Sequence, residues 1–415
     1  MRSTGVKAAA ITCLAVVLVC ASAASGPAAS GVRPWPAAQE PQPLLGLFAR
    51  DGGSFLARVD RDTLGPTGAR AVLRPDQGPW AFSPDRTRVA IAHLATPPLI
   101  SVVDVDRMRL VRDLPTHGGT DVVAWLSPDR IAWLEFHRVV VADPTTGATV
   151  RTTPLALAPL RAGFLPGALV LLLAPENRIG QARLAVVDDS GRVRTVRLRR
   201  TRASAFLTGG RERHPGLAVD PAGRRAYVVG AGEPAASVDL RTLRVAYHSL
   251  GSARRLAKGA IDGPTRRALW LGNGLLAVTG EDGRIRRTTR GEATNVSSEP
   301  AGVAIVDVRT WRAVRLDGDA THVALAGDRL LGYGTSLRSG QNIGAGLDVY
   351  APGGRRVGHL FARRAVWSVE ALGDRAVVGL GDFPQLVDLS TLSVVRTLPA
   401  TVPLLLLGAA NDWLG

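Results

Sequence analysis

One stretch, residues 80–115, constrains the fold more than any other, because degenerate copies of it recur to the C-terminus. It reads WAFSPDRTRVAIAH and then LATPPLISVVDVDRMRLVRDLP, four short apolar runs with a turn after each. The clearest part of the repeat is an apolar run ending in Asp, followed by a turn and a second run. It occurs near Asp60, Asp104, Asp143, Asp188, Asp239, Asp307, Tyr350 and Asp388. Each copy reads as a hairpin whose Asp, Thr, Gly or Ser bonds back to the backbone or supplies an unusual φ. Elsewhere, runs of Val, Leu, Ala and Ile are bounded by Gly, Pro, Asp or Arg, and helical periodicity is absent after the N-terminal segment. That is the pattern of many short strands.

Most copies are spaced by about 40 to 50 residues, the period of four-stranded propeller blades. Innermost strands are read at WAFSP (Trp80), VVAWLSP (Val122), RAGFLP (Arg161), GLAVDP (Gly216), RALWLGN (Arg267), HVALAGD (His322) and WSVEALGD (Trp367). The first blade lacks one, whereas the last copy is followed by an unpaired apolar run, VPLLLLG at residues 402–408. Pairing this run with blade one closes the ring and removes an open edge. The expected fold is therefore an all-β propeller of about eight four-stranded blades, or seven if one poor repeat is collapsed.

At the N-terminus, Arg2 and Lys7 precede an apolar run that ends in Ala21-Ser22-Ala23, the layout of a secretory signal peptide. The run is also long enough for an uncleaved anchor, which needs about 17 to 25 residues. Cys20 invites a lipoprotein reading, but Val19 before it is a poor fit for the processing peptidase. Both cysteines, Cys13 and Cys20, lie in this segment, so cleavage after Ala23 would leave no disulfide, thiol nucleophile or cysteine metal site. Residues 24–43 are rich in Pro, Ala and Gly and are expected to be a disordered tether. Residues 44–415 are expected to form one propeller domain, a monomer, secreted or held outside the cytoplasm.

The segments FSPDRTRVAIAH…SVVDVDRMRLV and AVDPAGRRAYVVGAG…SVDLRTLRV resemble the YVTN-type and WD40-like propeller repeats of bacteria. The resemblance covers two blades well, and the Gly-His and Trp-Asp dipeptides of eukaryotic WD40 repeats are missing. Membership of that broad family implies a binding protein, a lactonase or a quinoprotein-like dehydrogenase, and fold does not choose among them.

Local motifs do not choose either. The seven histidines, His93, His117, His137, His214, His248, His322 and His359, form no metal-ligand spacing, so no metal or cofactor is expected, although a ring can gather distant residues at its axis. No nucleophile elbow, P-loop or dinucleotide fingerprint sits in a strand-to-helix context. Asp121, Glu370 and Asn273 are the channel residues a lactonase could use, but no pattern joins them, and no catalytic residue is assigned. Asn295-Val-Ser matches a glycosylation sequon and reads as chance in this composition.

The charge is strongly basic, 51 Lys plus Arg against 35 Asp plus Glu, with Lys7 and Lys258 the only lysines. An arginine bias of this kind also fits GC-rich coding. The longest connections carry basic residues, 199–215, 251–264 and 280–300, the last with Glu281, Asp282, Glu292 and Glu299 nearby, and 335–346 is a fourth long connection. The candidate anion-binding residues are Arg199, Arg200, Arg202, Arg211, Arg213, Arg254, Arg255, Lys258, Arg284, Arg286 and Arg287. Arginine's planar fork suits phosphate and carboxylate groups. Nucleic acid is a poor candidate, because export argues against it and these connections hold Phe206 alone as an aromatic. The expected role is recognition at the cell envelope, of a protein or of an anionic polymer or lipid. The alternatives are a lactonase-like or quinoprotein-like enzyme using the axial channel, and a scaffold of a membrane-associated complex.

Overall fold

The structure is a computed structural model that describes residues 32–38, 43–50, 53–205, 212–250, 263–287, 293–338, 341–381, 383–398 and 405–407. The expected signal peptide lies outside these residues. Eight antiparallel sheets follow one another around a ring, and among the described residues there is no helix. The chain is an eight-bladed β-propeller, so the seven-bladed alternative is set aside.

Blade one holds Leu45–Arg50, Gly53–Val59 and Pro66–Leu73, with Leu405–Leu407 as its innermost strand. Blade two runs from Gln77–Phe82 to Arg109–Pro115, blade three from Thr120–Ser127 to Thr149–Pro154, and blade four from Ala158–Leu165 to Val193–Ala203. Blade five runs from Gly216–Asp220 to Val245–His248 and blade six from Gly263–Gly272 to Arg312–Arg315. Blade seven runs from His322–Ala326 to Arg356–Leu360 and blade eight from Ser368–Leu372 to Ser393–Thr397.

Each blade packs both faces against its neighbours, which explains why middle strands such as Ala168–Ala174 are apolar and buried at every position. The apolar core is accordingly divided into clusters, one at each seam between blades. The closing strand serves two of them. Leu406 packs into the seam between blades eight and one, and Leu407, its neighbour, into the seam between blades one and two. Successive side chains of a strand point to opposite faces, so three residues suffice to join both seams.

The recurring Asp holds the turn between the third and fourth strands. Asp239 Oδ1, for instance, accepts from the backbone N–H groups of Arg241 (3.0 Å) and Thr242 (2.7 Å) and from the Thr242 hydroxyl (2.9 Å). In the same way, the hydroxyl of Ser390 and the backbone of Thr391 hold the Asp388 carboxyl down to about 2. Just before the fourth strand these turns place a residue with positive φ. It is Gly in blades three, four and seven but Leu64, Met108, Leu243, Trp311 and Leu392 elsewhere. Leu64 and Met108 are buried there, so core packing offsets a conformation that costs non-glycine residues about 1–2 kcal/mol.

Part of the expected tether is not free. Residues 32–38 lie as a strap across the turns of blades six and seven. The Arg33 guanidinium binds Asp307 Oδ2 (2.8 and 3.2 Å), and the Trp35 indole N–H donates to the carbonyl of Asp328 (3.0 Å). The Ala38 N–H donates to Gly327 O (2.7 Å), and Trp35 is 3% exposed within the core at that seam. Proline fixes φ and removes a donor, so this segment runs extended and bonds through a few side chains.

Candidate functional site

A propeller has two unlike faces. The turn face carries the first-to-second and third-to-fourth turns and, here, the strap. The connection face carries the second-to-third connections and the passages between blades, and the described parts of 199–215, 280–300 and 335–346 emerge on it.

Two of those segments, 280–300 and 335–346, are paired strand rather than loop over their described residues. In the described part of 280–300, Leu275–Arg287 pairs antiparallel with Ala293–Pro300, from Glu281↔Pro300 to Arg287↔Ala293. In 335–346 a second antiparallel pairing ends at Arg338↔Gln341. The two lean together, and the Leu337 N–H donates to Ser298 Oγ (3.0 Å). Each begins at a glycine of positive φ, Gly280 and Gly334. There a Cβ would come within 2.0 Å of Thr265 O or Thr321 Oγ1. The backbone turns out of the blade at a place only glycine tolerates.

The candidate arginines fall into three groups. Arg199, Arg200 and Arg202 are on the outermost strand of blade four, Val193–Ala203, and not on a loop. Of these, Arg200 spans the seam to blade five, with its N–H on Tyr247 Oη (3.2 Å) and its guanidinium 5.7 Å from that ring's centroid. Arg202 donates its backbone N–H to Glu233 Oε2 (2.9 Å), and the Arg213 guanidinium holds Glu233 Oε1 (3.2 Å). Burial pushes the Glu233 carboxyl up, and those bonds oppose it. Arg200 and Arg213 are therefore partly spent on fastening blades four and five. Arg284, Arg286 and Arg287 have backbone places on the blade-six hairpin, opposite Ser297, Asn295 and Ala293. Arg211, Arg254, Arg255 and Lys258 lie outside the described residues.

The ring brings together a second set that the sequence reading did not assign. Arg161 and Arg267 sit on the innermost strands of blades four and six, His322 opens that of blade seven, and His214 precedes that of blade five. A parallel bridge to Thr265 holds His214 in place, with its N–H on Pro264 O (3.1 Å) and its carbonyl accepting from Arg266 N (2.7 Å). The Arg266–Asp282 ion pair (2.8 Å), with both side chains under 7% exposed, anchors the strand beside it. His322 shares a 2.8 Å hydrogen bond with Thr321 Oγ1 and stacks on Tyr333.

Burial, with the charges of Arg161 and Arg267 added, pushes both imidazoles down to about 4. Both arginines thus act electrostatically on both histidines, which gathers the four into one mouth. Near neutral pH the histidines are neutral and the arginines carry the charge. Positive potential of this kind favours an anion. The signal was in the sequence, since RAGFLP, RALWLGN and HVALAGD all begin with a cationic or titratable residue at the same repeat position.

The three channel candidates separate. Glu370, on the innermost strand of blade eight, is pushed up to about 7 by burial alone. Asp121 is exposed on blade three. Asn273 lies in a turn under the strap, its amide 3.4 Å from Pro34 O, on the opposite face. Among the described residues no group of three or more His, Cys, Asp or Glu could hold a metal ion.

No family model matches the chain, and no curated protein matches it. Solved structures do. The dihydro-heme d1 dehydrogenase NirN in complex with DHE is 14% identical over 90% of this chain and 78% of its own, with a TM-score of 0.58. BamB from Moraxella catarrhalis is 11% identical over 81% of this chain and 91% of its own, with a TM-score of 0.44. The Cps50 (Swd1) β-propeller domain from Myceliophteria thermophila is 12% identical over 75% and 95%, with a TM-score of 0.40. At these identities the likeness is one of fold, the β-propeller.

Proposed function

We propose that this protein is an exported, non-catalytic recognition module of the cell envelope that binds an anionic partner on its connection face, over blades four to seven. One observation carries the reading: Arg161 and Arg267 converge with neutral His214 and His322 at the mouth of the ring. The arginine-bearing outer strand of blade four and the blade-six hairpin emerge on the same face. The signal-like N-terminus and the YVTN-type repeat pattern supply the compartment in this reading.

Capture on poly-glutamate beads across a salt series tests it. Arg161→Gln with Arg267→Gln, and separately Arg199→Ser with Arg200→Ser and Arg202→Ser, should weaken capture and flatten its salt dependence. Capture that neither variant changes refutes the reading.

A second reading, an enzyme acting in the channel, rests on Glu370, a carboxyl poised near neutral pH as general acids and bases are. It requires a turnover that Glu370→Gln abolishes while leaving poly-glutamate capture intact.

A further inference from the structure

Blade four holds a second basic site, away from the axis and outside the arginines considered so far. Arg183 and Arg197 are register partners on adjacent antiparallel strands, Gly180–Asp188 and Val193–Ala203. Cross-strand partners have Cβ atoms about 4.5–5.5 Å apart, and like charges placed so repel. With Arg178 and Gln181 they line a cleft of about 320 Å³ whose apolar wall includes Leu157 and Ile179.

The cleft opens toward blade three. Ala185 and Val187, which share Arg183's face of the strand, pack into the core between blades three and four. None of the three guanidinium groups has a hydrogen-bonded or ion-paired partner among the described residues. The acidic residue closest to Arg178 in sequence, Glu176, is held by His137 of blade three at 2.9 Å. A repelling arginine pair facing a cleft is a cost to the fold that an anion seated between them removes.

We propose that this cleft is a binding site for a phosphate monoester on a sugar-sized body. Two opposed guanidinium forks suit a dianionic phosphate, which accepts several charge-assisted hydrogen bonds at once, and Arg178 adds a third positive group. Leu157 and Ile179 offer apolar surface to the carbon face of a sugar ring, while the Gln181 amide can donate to and accept from hydroxyls. The volume sits at the small end of ligand pockets. A soluble sugar phosphate and the phosphorylated end of an envelope glycan present the same group, whereas an internal phosphodiester carries one charge fewer.

Glucose 6-phosphate is titrated into the full-length protein by calorimetry, alongside inorganic phosphate, glucose and a glucose phosphodiester. Glucose 6-phosphate should bind, inorganic phosphate should bind more weakly, and glucose should not bind. A phosphodiester that matches the monoester would assign the site to chain repeats of a polymer and overturn the monoester proposal. Arg183→Gln with Arg197→Gln should lower glucose 6-phosphate affinity by at least about tenfold.

The unliganded double variant should also unfold at higher urea than the wild type, because the repulsion is gone. Glucose 6-phosphate should raise the midpoint of the wild type alone. No binding of glucose 6-phosphate, or equal binding by the double variant, overturns the proposal. The readout is a small soluble ligand, so a failed poly-glutamate capture leaves this test standing.

Discussion

Removing the side chain of Leu407 tests whether three residues close the ring. Leu407 is fully buried and lies in one core with Leu45, Leu47, Leu56 and Trp80, while Leu406, 5% exposed, lies in the core shared with blade eight. A buried Leu→Ala change loses the transfer free energy and leaves a cavity, about 2–5 kcal/mol. Leu407→Ala and Leu406→Ala should therefore each cost about 2–5 kcal/mol although the strand is only Leu405–Leu407. Leu110→Ala, 40% exposed on the outer strand of blade two, is the control and should cost under about 0.5 kcal/mol. Urea unfolding followed by tryptophan emission reads the change, and Trp80 reports on the Leu407 seam directly. A Leu407→Ala protein that unfolds with the Leu110→Ala control would refute closure by this strand.

Trp35→Ala should destabilise by about 3–5 kcal/mol, since the indole is 3% exposed and donates to Asp328 O; a midpoint unchanged in urea would mean the strap is not docked. Glu370 titrates near 7 in the folded ring against 4.5 ordinarily, so the unfolded chain releases its proton first and stability falls between pH 4.5 and 7. Glu370→Gln should remove that fall and gain about 3 kcal/mol above pH 7, measured as unfolding midpoint against pH. His214 and His322 act in the opposite sense, their lowered values costing stability as pH falls from 6.5 toward 4. In the Arg161→Gln, Arg267→Gln protein both imidazoles should titrate higher by NMR while burial keeps them below 6.5; unmoved resonances would separate the arginines from the mouth.

The blade repeat was legible because seven of the eight turns between third and fourth strands spend an Asp on nearby backbone N–H groups, and ring closure because VPLLLLG had no partner in its own blade. Other features were hidden for physical reasons. The hairpins at 280–300 and 335–346 are rich in Arg, Thr, Ser and Gly and show none of the alternation that marks a strand with one buried face. The strap has the composition of a disordered tether, and only Trp35 hinted that it had something to bury. Leu64, Met108 and Trp311 take a backbone conformation that composition assigns to Gly or Asn, because tertiary packing decides there. The mouth collects one residue from each of four blades, spread from Arg161 to His322, and no local motif spans that distance. The Arg183–Arg197 pair needed a register, which strand assignment alone does not supply.

The strap also sets how force would pass through the molecule. It grips blades six and seven by Arg33 and Trp35, while the next described residues, from 43 onward, enter blade one. Tension applied at the N-terminal side meets the Asp307 and Asp328 contacts before it reaches the first strand of blade one. The pull arrives at the turn face and peels a short extended segment one contact after another, whereas the strands of blade one would have to shear together. Under an end-on pull the protein should yield in two steps, a weak release of the strap and a strong opening of the ring. Between the two, the cationic mouth on the far face keeps its shape.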